Sequence, residues 1–261
     1  MSKVLAVANQ KGGVGKTTTS VNLAASLHVT KKKVLLIDLD PQGNATTGSG
    51  VDKSELELSI YDVLTHRSVF DDVVVNPGGA DYDILPANGD LTAAEVELLQ
   101  VSNREHRLRE IVNQIRHRYD FVVIDCPPSL NMLTINALVA ADGVLIPMQC
   151  EFYALEGLSA LMETISAISE SLNPSLKIEG ILRTMYDPRN KLTTEVNGQL
   201  FNFFGDTVYR TVVPRNVRLA EAPSFGLPVI KYDRQSRGAL AYLAVAGEVL
   251  RRIDKAEQRP L

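Results

Sequence analysis

Residues 3–19 leave the chain little choice of fold: they read Lys-Val-Leu-Ala-Val-Ala-Asn-Gln-Lys-Gly-Gly-Val-Gly-Lys-Thr-Thr-Thr. The apolar run 4–8 reads as a buried strand, Gly12, Gly13 and Gly15 as a tight turn, and 21–27 carries apolar residues at helical spacing. Strand, glycine turn and helix in that order is the context of a phosphate-binding loop. Glycines let backbone N–H groups approach phosphate oxygens. The helix N-terminus adds free donors and the positive end of its dipole. Lys16 is placed to neutralise β- and γ-phosphate charge, and the Thr17 hydroxyl to ligate Mg²⁺. The nucleotide-binding set in the loop is therefore Gly12, Gly13, Val14, Gly15, Lys16, Thr17 and Thr18. One position departs from the common motif: Gln10 replaces its first glycine, and a second lysine, Lys11, opens the loop without an evident partner there.

The string K-G-G-V-G-K-T-T resembles the deviant Walker A motif of the ParA/MinD group of P-loop ATPases. The resemblance implies ATP and Mg²⁺ as cofactors. It also implies that Lys11 reaches across a homodimer interface, in the ATP state, to nucleotide held by the partner subunit. Lys11, Lys16 and Asp40 are on this basis the catalytic set.

Composition narrows the class. At 261 residues the chain is long enough for one large α/β domain with a substantial core. A formal charge of −4 argues against a uniformly basic surface and leaves a local basic patch open. Cys126 and Cys150 lack metal-ligand spacing and suit a reducing cytosol. No signal peptide precedes the first strand, and no apolar stretch approaches the ~20 residues of a membrane span. The expected location is cytoplasmic.

The run 34–37 is the second buried strand, and it ends in Asp38-Leu39-Asp40-Pro41-Gln42-Gly43-Asn44. Acids at the carboxyl end of a strand sit where open α/β sheets bind ligands; either aspartate alone also suits a helix cap. The stretch resembles the group's switch I, which implies that Asp40 orients the attacking water near the Mg²⁺ shell, with Gln42 close by. The run 121–124 closes on Asp125 in a Walker B arrangement, whose carboxylate holds Mg²⁺ beside the phosphate loop. Thr17, Asp40 and Asp125 are thus the metal candidates. Asp125-Cys126-Pro127-Pro128-Ser129 resembles switch II.

Between these motifs, Ser54-x-x-Glu57 and Thr92-x-x-Glu95 read as capping boxes opening helices at about 55–65 and 92–100. Residues 69–75 and 82–85 read as short strands, and 104–118 as a helix whose arginines form a solvated face. Strands at 143–148, 178–185 and 208–213 alternate with helices at about 130–141, 154–172 and 192–204. Such alternation implies an α/β fold with a mostly parallel central sheet flanked by helices.

Pro214-Arg215-Asn216 alone reads as a helix start. Its resemblance to the ParA segment that holds adenine and ribose makes Met185, Pro214 and Asn216 the base-binding candidates. Residues 210–237 carry six basic residues against two acidic ones, +4 on an acidic chain, which suits phosphate contacts without base readout. By resemblance, Arg189 and Arg218 match ParA arginines that bind DNA; Lys231 and Arg234 are added by proximity. The last helix, about 237–255, reads as packed rather than membrane-targeting, in contrast to MinD relatives.

The resemblance runs from Val4 to about Ile253 and is to the small ParA/Soj type: one P-loop ATPase domain over 1–261 without a separate N-terminal DNA-binding domain. It implies a DNA-segregation ATPase that is nucleoid-associated. Its ATP dimer binds duplex DNA non-specifically, a ParB-type partner stimulates its slow hydrolysis, and no membrane is involved. A MinD-like membrane ATPase and a redox protein with a cluster shared across a dimer are the competing readings.

Overall fold

The computed structural model describes residues 2–257. β1 (Lys3–Val7) leads through the glycine turn into α1 (Lys16–Val29), β2 (Val34–Asp38) and the short helices α2 (Asn44–Gly48), α3 (Ile60–Leu64) and α4 (Phe70–Val73). The edge strand β3 (Asp83–Leu85), α5 (Leu91–Leu98) and α6 (Arg107–Ile115) precede β4 (Phe121–Asp125). Regular alternation follows through α7 (Met132–Ala140), β5 (Gly143–Gln149), α8 (Ala154–Ser171), β6 (Lys177–Tyr186), α9 (Lys191–Phe204) and β7 (Val208–Pro214). α10 (Val217–Glu221), α11 (Val229–Tyr232) and α12 (Arg237–Glu257) complete the described chain.

The seven strands form one sheet in the order β3-β2-β4-β1-β5-β6-β7, with parallel ladders throughout. Side chains alternate between faces along a strand. Val4 and Ala6 therefore join one apolar layer with α7 and α8, while Leu5 and Val7 join the other with α1 and α12. Helices on both faces explain why the central strands are apolar runs rather than alternating ones.

Register sets the site. Val7 and Asp38 both pair with Asp125, so the loops after β1, β2 and β4 leave the carboxyl edge side by side. That edge is where open α/β sheets take ligands. α12 buries Ala239, Tyr242, Val245, Ala246 and Val249 in the layer shared with α1, as its apolar spacing predicts; the tail beyond 257 lies outside the described residues.

The intervening region departs from expectation. Ser54 turns back onto Asp52, and the capping box forms one step later, between Ser59 and Asp62 at the start of α3. Burial of Ile60, Tyr61, Val63 and Leu64 selects that register. Residues 69–75 are not a strand: Phe70 and Val73, three apart, both bury from a helical turn, and Val75 alone bridges to Ile84. Thr92 lies inside α5, with Asp90 at the cap position. The arginine-rich helix is not simply solvated either. Arg107 is buried and donates to the Leu64 carbonyl, satisfying the open C-terminal end of α3.

Candidate nucleotide site and basic surface

A cavity of about 540 Å³ opens at the carboxyl edge, walled by the phosphate loop, the Asp40–Asn44 segment, Thr184–Met185 and Val213–Asn216. Gly13 and Gly15 adopt φ of 73° and 87°, left-handed backbone that an L side chain resists. Gly15 is the N-cap of α1 and brings no side-chain cap, so the first-turn N–H groups lack that partner. The Thr184 hydroxyl donates to the Val14 carbonyl at 2.7 Å and ties the loop to β6, whereas the Val14 side chain is buried in the interior.

Lys16 is only 7% exposed. Its Nζ donates to the Lys11 carbonyl at 3.1 Å, within the loop a phosphate would occupy. Burial lowers its pKa, opposed chiefly by Asp125. Asp125 is fully buried and accepts from the Thr17 hydroxyl at 2.8 Å and the Ser20 hydroxyl at 2.7 Å. Burial, then the neighbouring Asp38 charge, pushes its carboxyl up. Asp38 is equally buried and accepts from the Thr46 N–H and hydroxyl, each at 2.8 Å, and from the Asp40 N–H at 3.1 Å. Burial likewise raises its pKa. Asp40 lies on the cavity wall, 8% exposed, and accepts from the Gln42 N–H at 2.9 Å. Asp125 and Asp40 therefore act on the Lys16 ammonium, and Asp38 acts on Asp125 from behind. Among the described residues no three carboxylate, histidine or cysteine side chains cluster as a closed metal cage. The Thr17 hydroxyl beside Asp125, with Asp40 on the cavity wall, instead supplies the few hard oxygen donors that suit Mg²⁺ bound mainly through phosphate and water.

The base-binding candidates share the same cavity. Met185, Pro214 and Asn216 all line the cavity. Met185 holds φ at 48°, an uncommon conformation for a non-glycine residue. The Asn216 Oδ1 is buried without a hydrogen-bond partner, as an acceptor awaiting a ligand donor must be.

Lys11 stands apart. It does not line the cavity; its side chain, half exposed, forms an ion pair with Glu151 after β5. A partner absent from its own loop is thus present 140 residues away. Sequence reasoning missed Glu151, Ser20, Thr184 and the anchoring part of Asp38. Only Asp38 carried a signal: two acids spaced i,i+2 at a strand end place the first in the sheet and the second beyond it.

The basic surface is less positive than its sequence. Arg189 forms a two-pronged pair with Asp187, at 2.9 and 2.7 Å. Arg218 meets Glu221 at 2.8 Å and Asp233 at 3.3 Å, Lys231 pairs with Asp81, and Arg210 with Asp206. Among the described residues Arg215, Arg234 and Arg237 form no ion pair and are exposed. Cys126 and Cys150 are packed in the interior, where burial raises both thiol pKa values, that of Cys150 to about 11.

A protein-family profile described as an AAA domain matches residues 2–178. The sporulation initiation inhibitor protein Soj of Bacillus subtilis is 51% identical over 249 residues, covering 95% of this chain and 98% of Soj. The chromosome partitioning protein ParA of Caulobacter vibrioides is 51% identical over 252 residues, 96% of this chain and 94% of ParA. Among solved structures, one described as cobyrinic acid a,c-diamide synthase from Mycobacterium smegmatis with bound ADP and magnesium superposes with a TM-score of 0.87. It is 37% identical and covers 100% of this chain and 98% of that one. With near full-length identity to Soj and ParA, a seven-stranded parallel sheet and a two-lysine phosphate loop, the chain belongs to the ParA/Soj family of chromosome-partitioning P-loop ATPases.

Proposed function

We propose that this chain is an ATP-driven DNA-segregation switch: it binds Mg²⁺–ATP, pairs with a second copy, and in that state holds duplex DNA without sequence preference. The observation that carries the reading is the division of labour between the loop lysines. Lys16 is buried at the cavity, while Lys11 lies at its rim with its ammonium turned to Glu151. One lysine thus serves the chain's own phosphates, and the other is left for a partner's.

Thr17 and Asp125, with Asp40 close by, would hold Mg²⁺, which when bound would neutralise the charge developing on the phosphate oxygens. Gly12 to Thr18 present N–H groups to the phosphates, Lys16 leaves the Lys11 carbonyl for them, and Asn216 accepts from the base. Asp40, fixed by the Gln42 N–H, orients water for hydrolysis. Basal turnover is slow and a ParB-type partner stimulates it, because the one arginine lining the cavity among the described residues, Arg215, follows β7 and is no part of the phosphate loop. Arg189, Arg218, Lys231 and Arg234 contribute the DNA contacts, in the cytoplasm and on the nucleoid. The burial of α12's apolar face against the body favours this reading over a MinD-like membrane anchor.

The test is duplex-DNA affinity across a salt series with no nucleotide, ADP and ATP. Binding confined to ATP and weakening steeply with salt supports the switch. Equal binding in all three states removes the nucleotide coupling, and no binding in any state removes the DNA reading.

A further inference from the structure

The ion pairs of the basic surface leave a question: what does DNA gain there, if Arg218 already has two carboxylate partners? The answer lies in the turn beside it. Phe225 is 63% exposed, and its ring stacks on Tyr232 at 4.9 Å with 29° between planes. The Tyr232 hydroxyl donates to Glu221 at 3.2 Å, and Glu221 is the carboxylate that pairs with Arg218. Phe225 and Arg218 therefore belong to one continuous surface cluster. The turn is rigid: Gly226, at φ 64°, lies so close to Gly50 that a Cβ there would sit 2.8 Å from the Gly50 Cα.

Around this cluster the charge is positive. Arg234, just after α11, is exposed without an ion pair among the described residues, and Arg237 opens α12 next to Gly238, which packs directly on Leu219 of α10. With Arg218 they make three cations against Glu221 and Asp233. A rigid aromatic with a free face inside a net basic rim is complementary to a polyanion that also offers apolar surface, which duplex DNA does through its sugars and groove edges. We propose that Phe225, backed by Tyr232, is a non-ionic anchor of the DNA interface, supplying affinity that the carboxylate-paired arginines do not. This rests on the DNA-binding reading above and adds to it a contact whose strength is independent of salt.

Counterion release makes the two kinds of contact separable. The full chain with ATP is titrated with duplex DNA over a salt series. Phe225→Ala is expected to lower affinity by about five- to tenfold at every salt concentration with an unchanged log–log slope. Arg218→Ala is expected to reduce the slope by roughly 0.9. The chain contains no tryptophan, so Phe225→Trp introduces a single tryptophan at the contact, read by selective excitation on the red edge of its absorption. It is expected to retain affinity, and its emission to change on adding DNA with ATP and not with ADP. Unchanged affinity in Phe225→Ala, a slope change like that of Arg218→Ala, or silent emission in a Phe225→Trp protein that still binds DNA each overturns the anchor. Emission that answers to anionic phosphatidylserine vesicles and not to DNA reassigns the surface and overturns it as well. If the unmodified protein binds no DNA in any nucleotide state, the DNA reading itself falls, an outcome distinct from failure of Phe225 alone.

Discussion

The phosphate loop and the surface around Arg189 and Arg218, proposed here to take nucleotide and DNA respectively, are built in opposite ways. In the loop one ammonium is 7% exposed, and the remaining donors are backbone N–H groups at a glycine-bent helix start. On the surface, Arg189 and Arg218 are each held by carboxylates of their own chain. Burial makes a single charge worth much, because water no longer screens it. Exposed pairs contribute only about 0–1 kcal/mol, so a surface needs several cations and gains from apolar contact. The first region suits one ligand held in one pose, and the second a polymer held in many registers.

The contrast breaks most readily at Lys16. Lys16→Ala is expected to weaken ATP binding by more than about 100-fold, since a charge-assisted contact in a low-dielectric site is lost; calorimetry with ATP checks it. Asp40→Ala is expected to leave ATP bound and cut phosphate release by about 100-fold or more, the scale of a lost proton-handling group. Normal turnover would move water orientation to another residue. Lys11→Ala is expected to bind ATP with little change and to remain monomeric in sedimentation, because Lys11 lies off the cavity wall. A persisting ATP dimer would return Lys11 to its own chain.

Effects shrink on the surface. Arg218→Ala is expected to weaken DNA binding only about two- to fivefold at moderate salt, because Glu221 and Asp233 already offset its charge. Asp187→Asn releases Arg189, and about a twofold gain in DNA affinity with a steeper salt slope is expected in the same titration. The hydrogen bonds from Arg189 hold the Asp187 carboxyl down at about 2. The pair's contribution is therefore present above the ordinary carboxylate value and is lost only as pH falls through about 2. DNA binding that changes between pH 7 and 5 owes the change to other groups.

The parts of the site built from contiguous residues were legible in the chain. Strand, glycine turn and Lys16–Thr17 lie within 17 residues, and their chemistry is local backbone geometry. Asp125 was legible because a buried parallel strand that ends in an acid delivers its carboxylate to the same sheet edge as the phosphate loop. Helix starts between 54 and 95 were less so, because competing capping boxes differ by tenths of a kcal/mol until burial of Ile60 or Phe70 selects one. The charge of the basic segment misled for a similar reason: Asp81, which neutralises Lys231, is 150 residues away in sequence.

The sequence by itself determined the parallel α/β plan, the phosphate loop and the strand-end acids. These follow from hydrophobic period, glycine backbone freedom and the ending of buried strands. Tertiary structure decided which charges remain available. It set Asp38 beside Asp125 through strand register, left the Asn216 oxygen unpaired, turned Lys11 to Glu151 and gave Arg218 two carboxylates. Charge pairing acts over a few ångströms between residues far apart in the chain, and only the packed sheet and helices set those distances.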